Sequence, residues 1–191
     1  MGTGVGGRSV IVTGGTKGIG YGIAEVFAEV GDHVTIVGRD PDTAAQAAAR
    51  LAEAGASVGY VVADISQPQE CARMAAEVMA ARGAIDVLCA NAGMFVGKRL
   101  AEMTEEDYDE TFDLNTKGCL FSVQACLPVL AVTGHGRVVV TSSITGPMTG
   151  GSRAGRTTGR ARPRSSASSG PRRWSWRRRA SRSTRSCRAP F

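Results

Sequence analysis

Thr13-Gly14-Gly15-Thr16-Lys17-Gly18-Ile19-Gly20 is the stretch on which the fold turns. An apolar run, Ser9-Val10-Ile11-Val12, leads into it, and a helical pattern with Ile23, Ala24, Phe27 and Ala28 on one face leads out. Strand, glycine turn and helix in this order form the context of a dinucleotide-binding loop. Gly14, Gly18 and Gly20 let the backbone turn tightly and approach a pyrophosphate more closely than a Cβ would permit. The helix that opens there points free N–H groups and its positive dipole end at the phosphates. A glycine triplet alone also ends ordinary strands; the strand before it and the helix after it are what mark this one.

The 191 residues suffice for one domain with a sizeable core, and a hydrophobic content of 42% fits a soluble globular protein. No apolar run approaches the roughly 20 residues that span a bilayer. The N-terminus lacks a charged start followed by an apolar core, so no secretory signal is expected. Cys71, Cys89, Cys119, Cys126 and Cys187 show no paired metal spacing, and reduced thiols in a cytoplasmic protein are expected. His33 and His135 fall at a strand entry and in a turn, and no metal or catalytic role is assigned to them. The net charge of +6 averages two unlike pieces. Residues 1–151 hold ten Lys/Arg against seventeen Asp/Glu, a balance of −7, whereas residues 152–191 hold thirteen Arg and no acid. This composition divides the chain into a body, 1–151, and a basic low-complexity tail, 152–191.

In the body, strands are expected near 8–13, 33–38, 58–63, 85–90 and 136–141, and helices near 18–30, 41–54, 67–82 and 105–131. Thr104 and Asp107 have the spacing of an N-cap and its acidic partner. The alternation predicts an α/β parallel sheet with helices on both faces and right-handed crossovers, and the fold expected for it is Rossmann-like and doubly wound, with strand order 3-2-1-4-5. Ligands of such sheets bind at the strands' carboxyl ends, where the order reverses.

The loops after those strands hold the unusual residues. The second strand ends in Val37-Gly38-Arg39-Asp40, where dinucleotide folds inspect the adenosine ribose. A carboxylate there bonds a 2′-hydroxyl, whereas an arginine pairs with a 2′-phosphate. Gly38 offers no carboxylate, Arg39 follows it, and Lys17 adds a second cation, so NADPH is expected over NADH. Asp40 is the counter-argument, since it could turn inward and select the other form. The third strand runs into Ala63-Asp64-Ile65 and the fourth into Asn91-Ala92-Gly93, small polar sites at strand ends. Asn115 and Gly118 lower helix propensity in the middle of the long helix, which predicts a kink or a buried functional amide. The fifth strand delivers Thr141, Ser142 and Ser143 to the same end of the sheet.

These residues resemble the short-chain dehydrogenase/reductase family. Its marks are Thr13-Gly14-x-x-x-Gly18-x-Gly20, Asp64, Asn91-Ala92-Gly93, Asn115 and Ser143, in order across residues 8–150. The nearest subgroup in pattern is the 3-oxoacyl-[acyl-carrier-protein] reductases. The resemblance implies hydride transfer between NADPH and a carbonyl, carried on a small molecule or an acyl carrier. It implies a coenzyme site of Gly14, Thr16, Lys17, Gly18, Ile19, Gly20, Arg39, Asp64, Ile65, Asn91, Ala92 and Gly93. Ser143 would bond the substrate carbonyl, and Asn115 would hold a water of the proton relay. It further implies a homo-oligomer paired through the long helix, with no membrane partner.

The family's pattern also places Tyr-x-x-x-Lys about a dozen residues after Ser143. Here the last tyrosine is Tyr108 and the last lysine is Lys117. Among residues 152–191, 36 of 40 are Arg, Ser, Ala, Gly, Pro or Thr, a composition that cannot bury a core and is expected to be disordered. An arginine-rich nucleic-acid arm with Trp174 and Trp176 as stacking groups is one account, and a nucleotide-binding fragment carrying such an arm is the alternative function. A shifted reading frame in a GC-rich gene fits better. Back-translated with permitted codons and read one base out of step, the tail yields a tyrosine codon straddling Thr157 and Thr158 and a lysine codon straddling Ala161 and Arg162. That spacing restores Tyr-x-x-x-Lys, followed by an apolar helix and a V-T-V-N-A-V-L-P-G strand and turn. The chain as written is therefore expected to lack the general acid and the last strands, leaving the fifth strand an exposed edge.

Overall fold

The structure is a computed structural model that describes residues 7–53, 55–132 and 134–143. Five parallel strands form one sheet: β1 (Ser9–Thr13), β2 (His33–Gly38), β3 (Val58–Val62), β4 (Val87–Ala90) and β5 (Arg137–Val140), in the order β3-β2-β1-β4-β5. Helices α1 (Gly18–Glu29), α2 (Pro41–Ala52) and α3 (Pro68–Arg82) supply the crossovers. The chain winds outward from β1 through β2 to β3, and α3 then returns it to the other side of β1 for β4. The order thus reverses between β1 and β4, and their carboxyl ends part to leave a crevice.

All five residues of β1 are buried, because both faces of the sheet are covered. Val10, Val12, Val34 and Ile36 point to one face and pack on Ala24, Ala28, Ala47 and Ala48 of α1 and α2. Ile11, Val37 and Leu88 point to the other and meet Cys71, Met74 and Val78 of α3. At the base of the sheet the fully buried Asp32 accepts bonds from Arg8 N (3.1 Å), Nε (3.1 Å) and a terminal guanidinium nitrogen (2.6 Å). A buried carboxylate satisfied in this way holds the entry to β1 at little net cost.

The long helix expected over 105–131 is three pieces, and this is a correction. Helix α4 (Glu105–Phe112) gives way to a π-helical segment (Asp113–Gly118), and helix α5 (Cys119–Val132) follows. Gly118 explains the wide turn: a Cβ there would lie 2.9 Å from the Ile65 carbonyl oxygen and 3.4 Å from that of Asp113. The extra residue in the turn lets the backbone pass against the loop after β3 without unwinding the helix. At the start of α4, Thr104 and Asp107 form the expected capping box.

Strand β5 pairs with β4 alone among the described residues, and Val138, Val139 and Val140 are exposed. The boundary expected near Gly150, the Arg-rich segment 152–191 and its expected disorder lie outside the described residues. Among the described residues no helix is long and apolar enough to cross a membrane, and no cluster of His, Cys, Asp and Glu could hold a metal.

Candidate functional site

The crevice at the carboxyl ends of β1, β2, β4 and β5 has a volume of about 740 Å³. Of the residues expected at a coenzyme site, Gly14, Thr16, Lys17, Ile19 and Gly20 line it from the glycine loop and the start of α1. Arg39 lines it from the end of β2, Ile65 from the loop after β3, and Asn91, Ala92 and Gly93 from the loop after β4. Asn115 and Ser143, the two expected catalytic positions, reach the same space. Gly18 and Asp64 do not line it. Gly18 opens α1 with φ +57°, a backbone shape that favours glycine. One oxygen of Asp64 accepts the Ser66 N–H at 3.0 Å, a local turn that leaves Ala63 and Ile65 to face the crevice.

The glycines are where other groups need the room. A Cβ at Gly20 would stand 2.2 Å from the Gly14 carbonyl oxygen, and one at Gly14 would stand 2.8 Å from Ala92 Cα. Loop, helix and β4 therefore close on each other only because these positions have no side chain. Lys17 caps α1 with extended backbone and no side-chain hydrogen bond, so no capping side chain satisfies the first N–H groups of the helix. An uncapped helix start facing a crevice is suited to an anion, and the pyrophosphate of a dinucleotide fits that donor set.

Thr13 belongs to the glycine motif, yet the sequence assigns it no role, and the structure does. Its hydroxyl accepts the N–H of Asn91 at 3.0 Å and of Ala92 at 3.1 Å, and donates to the Cys89 carbonyl at 3.4 Å. The Asn91 side-chain amide in turn donates to the carbonyls of Thr13 (3.1 Å) and Gly14 (3.5 Å). These bonds bind the ends of β1 and β4 together across the switch in strand order. The signal available in the sequence was a threonine at the end of an otherwise apolar strand.

Asn115 was expected as a kink or as a buried amide, and its side chain is exposed among the described residues. The π-helical segment brings it against the loop after β4. Its Oδ1 accepts the Met94 N–H at 2.8 Å, and its Nδ2 donates to the Met94 carbonyl at 2.9 Å.

Asp40 does not turn into the crevice. It is the N-cap of α2, its carboxylate accepting the Thr43 N–H at 2.7 Å and the Thr43 hydroxyl. Those bonds from Thr43 hold its carboxyl below the usual carboxylate range. Lys17 and Arg39 are the ionisable side chains that line the crevice among the described residues, so its charge is positive.

The sequence pattern of the family described as short chain dehydrogenase matches residues 8–155. The chain is 34% identical over 140 residues to oxidoreductase asL5 of Sarocladium schorii, covering 73% of this chain and 55% of that protein. It is 34% identical over 141 residues to the 3-oxoacyl-[acyl-carrier-protein] reductase FabG of Chlamydia muridarum, covering 73% of this chain and 56% of the relative. Among solved structures it is similar to the Pseudomonas aeruginosa RhlG/NADP active-site complex, with a TM-score of 0.73 and 30% identity over 78% of this chain and 59% of that one. A short-chain type dehydrogenase/reductase from Mycobacterium marinum superposes with a TM-score of 0.71 at 26% identity, over 74% of this chain and 58% of that one. The chain spans about half the length of the curated relatives it matches.

Proposed function

This chain belongs to the short-chain dehydrogenase/reductase family, an oxidoreductase family that binds NAD(P), and from that premise we propose that it is the coenzyme-binding part of an NADPH-dependent carbonyl reductase. The observation that carries the coenzyme preference is the set of groups at the end of β2. Gly38 presents no carboxylate, Asp40 is committed to capping α2, and Arg39 and Lys17 line the crevice. Two cations without an acid favour a 2′-phosphate over a 2′-hydroxyl.

Bound NADPH would supply the hydride. The chain's own part is to seat the diphosphate at the start of α1, to pair the 2′-phosphate with Lys17 and Arg39, and to hold the loop after β4 through Thr13 and Asn115. Ser143, which lines the crevice, would bond the oxygen of a carbonyl substrate, a 3-oxoacyl thioester or a similar ketone, and stabilise the charge that develops on it. Similarity to the 3-oxoacyl-[acyl-carrier-protein] reductase supports that substrate class.

The general acid is the missing part. Tyr108 stacks on Phe112 in α4, and Lys117 pairs with Asp113 at 2.7 Å, so neither lines the crevice. General acid–base catalysis contributes about 10²–10⁴-fold, and the chain as written would bind coenzyme with little or no turnover. The body 1–151 is then the nucleotide-binding domain, and segment 152–191 a shifted reading of the gene that should encode the Tyr-x-x-x-Lys pair. Pairing of copies through α4 and α5, and a cytoplasmic location, belong to the same proposal. Exposed Tyr108, Phe112, Leu120 and Leu127 on those elements support the pairing.

Calorimetry of the chain with NADP⁺ and NAD⁺, with turnover of a 3-oxoacyl thioester by the chain and by a frame-corrected version, tests the proposal. Tighter NADP⁺ binding in both and turnover only after correction is the expected result. Turnover by the uncorrected chain, or no heat with either coenzyme, overturns it. An intact frame across codons 148–156 of the gene removes the account of the tail. Salt-dependent nucleic-acid binding that needs residues 152–191 would install the fragment with a basic arm in its place.

A further inference from the structure

Gly38 and Thr16 share one space. Gly38 closes β2, at the position that in dinucleotide folds faces the adenosine ribose. A Cβ built on Gly38 falls 2.6 Å from Thr16 Cγ2, with Cβ and Oγ1 of Thr16 both 3.8 Å away. Real Cβ atoms do not approach another carbon so closely. The methyl group of Thr16 therefore fills the volume through which any side chain at 38 would leave the backbone. The glycine loop has little freedom to move aside. A Cβ at Gly15 would stand 2.7 Å from Ile36, and Gly14 is pressed on Ala92. Threonine is also stiff at χ1, since two heavy atoms on its Cβ restrict the rotamers open to it.

We propose that Thr16 is a specificity-determining residue of the adenosine end of the crevice. Its methyl keeps position 38 without a side chain and so keeps a carboxylate away from the ribose. The choice between a 2′-phosphate and a 2′-hydroxyl is then set by positions 16 and 38 as a unit, with Lys17 and Arg39 acting on a site that Thr16 has cleared. This rests on the coenzyme reading above and goes beyond it. A carboxylate introduced at 38 cannot reach a ribose hydroxyl in good geometry while the methyl stays. It would instead push the loop away from the phosphates.

The test uses the full chain and calorimetric affinities for NADP⁺ and NAD⁺ in four proteins: wild type, Thr16→Ser, Gly38→Asp and the double variant. Thr16→Ser removes the methyl and keeps the hydroxyl. Gly38→Asp alone is expected to weaken both coenzymes by at least about tenfold, the loss of one charge-assisted bond. The double variant is expected to recover NAD⁺ binding and to prefer it, an effect larger than the two single changes together. A second arm needs no coenzyme: Gly38→Ala should lower the Tm of the wild type and leave that of the Thr16→Ser protein nearly unchanged. Inversion of preference by Gly38→Asp alone, to the same degree as in the double variant, overturns the inference and leaves the coenzyme reading standing. Equal Tm losses from Gly38→Ala in both backgrounds do the same. A wild type that binds neither coenzyme overturns the coenzyme reading, and this inference with it.

Discussion

The side-chain amide of Asn115 forms a two-point pair with the backbone of Met94, Oδ1 receiving the N–H at 2.8 Å and Nδ2 donating to the carbonyl at 2.9 Å. Both polar atoms of the amide are thereby used to hold the loop after β4. Gly93, next in the chain, lies so close that a Cβ on it would be 3.1 Å from the same Oδ1. The π-helical segment is what delivers Asn115 to this place, so helix and loop are positioned by one residue.

Replacing Asn115 with alanine removes both bonds. Each is worth about 0.5–1.5 kcal/mol, and the exposed setting puts the pair near the low end, a loss of about 1–2 kcal/mol in urea unfolding. Asn115→Asp keeps an acceptor for the Met94 N–H but sets a second carboxylate oxygen against the Met94 carbonyl, so it should not recover the stability lost in Asn115→Ala. Coenzyme affinity should fall with the order of the 93–95 loop. Equal stability and affinity in wild type and Asn115→Ala would remove the positioning role.

Thr13→Val tests the tie between β1 and β4. The shape is kept, but the N–H groups of Asn91 and Ala92 lose their acceptor in a site where Thr13 is 1% exposed. Leaving such donors unpaired costs about 1–3 kcal/mol each, so a loss of about 2–6 kcal/mol is expected, towards the low end because both bonds are only part-buried. Thr13→Ser, which keeps the hydroxyl, should lose far less. Urea midpoints of the three proteins decide it, and a Thr13→Val protein as stable as Thr13→Ser would show that the hydroxyl is not the tie.

The sheet was legible because β1, β2 and β4 are buried runs of Val, Ile, Leu and Cys separated by caps and glycine turns, signals that act over a few residues. The same locality made Lys17 and Arg39 readable, since each adjoins a glycine at a strand or helix end. The form of the break near Asn115 was not. It depends on Gly118 meeting the carbonyl of Ile65, a partner distant in sequence that no periodicity reports. Thr13 and Thr16 were legible as members of the glycine loop, but what each does there was not, for a related reason. One is defined by bonds to Asn91 and Ala92, the other by a methyl that fills the gap above Gly38, and both relations exist only once strands lie side by side. Asp40 was legible only as a possible ribose ligand, and its bonds from Thr43 make it the cap of α2 instead.

Thiol chemistry follows burial. Burial pushes the Cys89 thiol up to about 11 and the Cys126 thiol up to about 12, and raises that of Cys71, which also donates to the Ile65 carbonyl at 3.3 Å. The thiolate is the reactive form, so these three should resist iodoacetamide at pH 8 in the folded protein. Cys119, half-buried at the start of α5, should be modified first among the described cysteines. Peptide mapping by mass spectrometry before and after urea reads this directly. Early labelling of Cys89 or Cys126 in the absence of urea would mean that the strands open on the labelling timescale.

Acid should weaken the start of α4, and the sign follows from its bonds. Lys98 donates to both oxygens of Asp107, at 2.7 and 2.6 Å, and the Thr104 N–H donates to one of them at 3.0 Å. The bond from Lys98, and then that from the Thr104 backbone, hold the Asp107 carboxyl below the usual carboxylate range in the folded chain. The unfolded chain therefore takes up its proton first as pH falls. Asp107 contributes fully above the ordinary aspartate value, about 4, and loses that contribution as pH drops through the lower folded value. The stability gap between wild type and Asp107→Asn should then be widest at pH 7 and close towards pH 3, because the asparagine has no charge to lose. Urea unfolding of both proteins at pH 7, 5 and 3 measures the gap. A gap that stays constant or widens in acid would mean that the ion pair with Lys98 does not hold the cap.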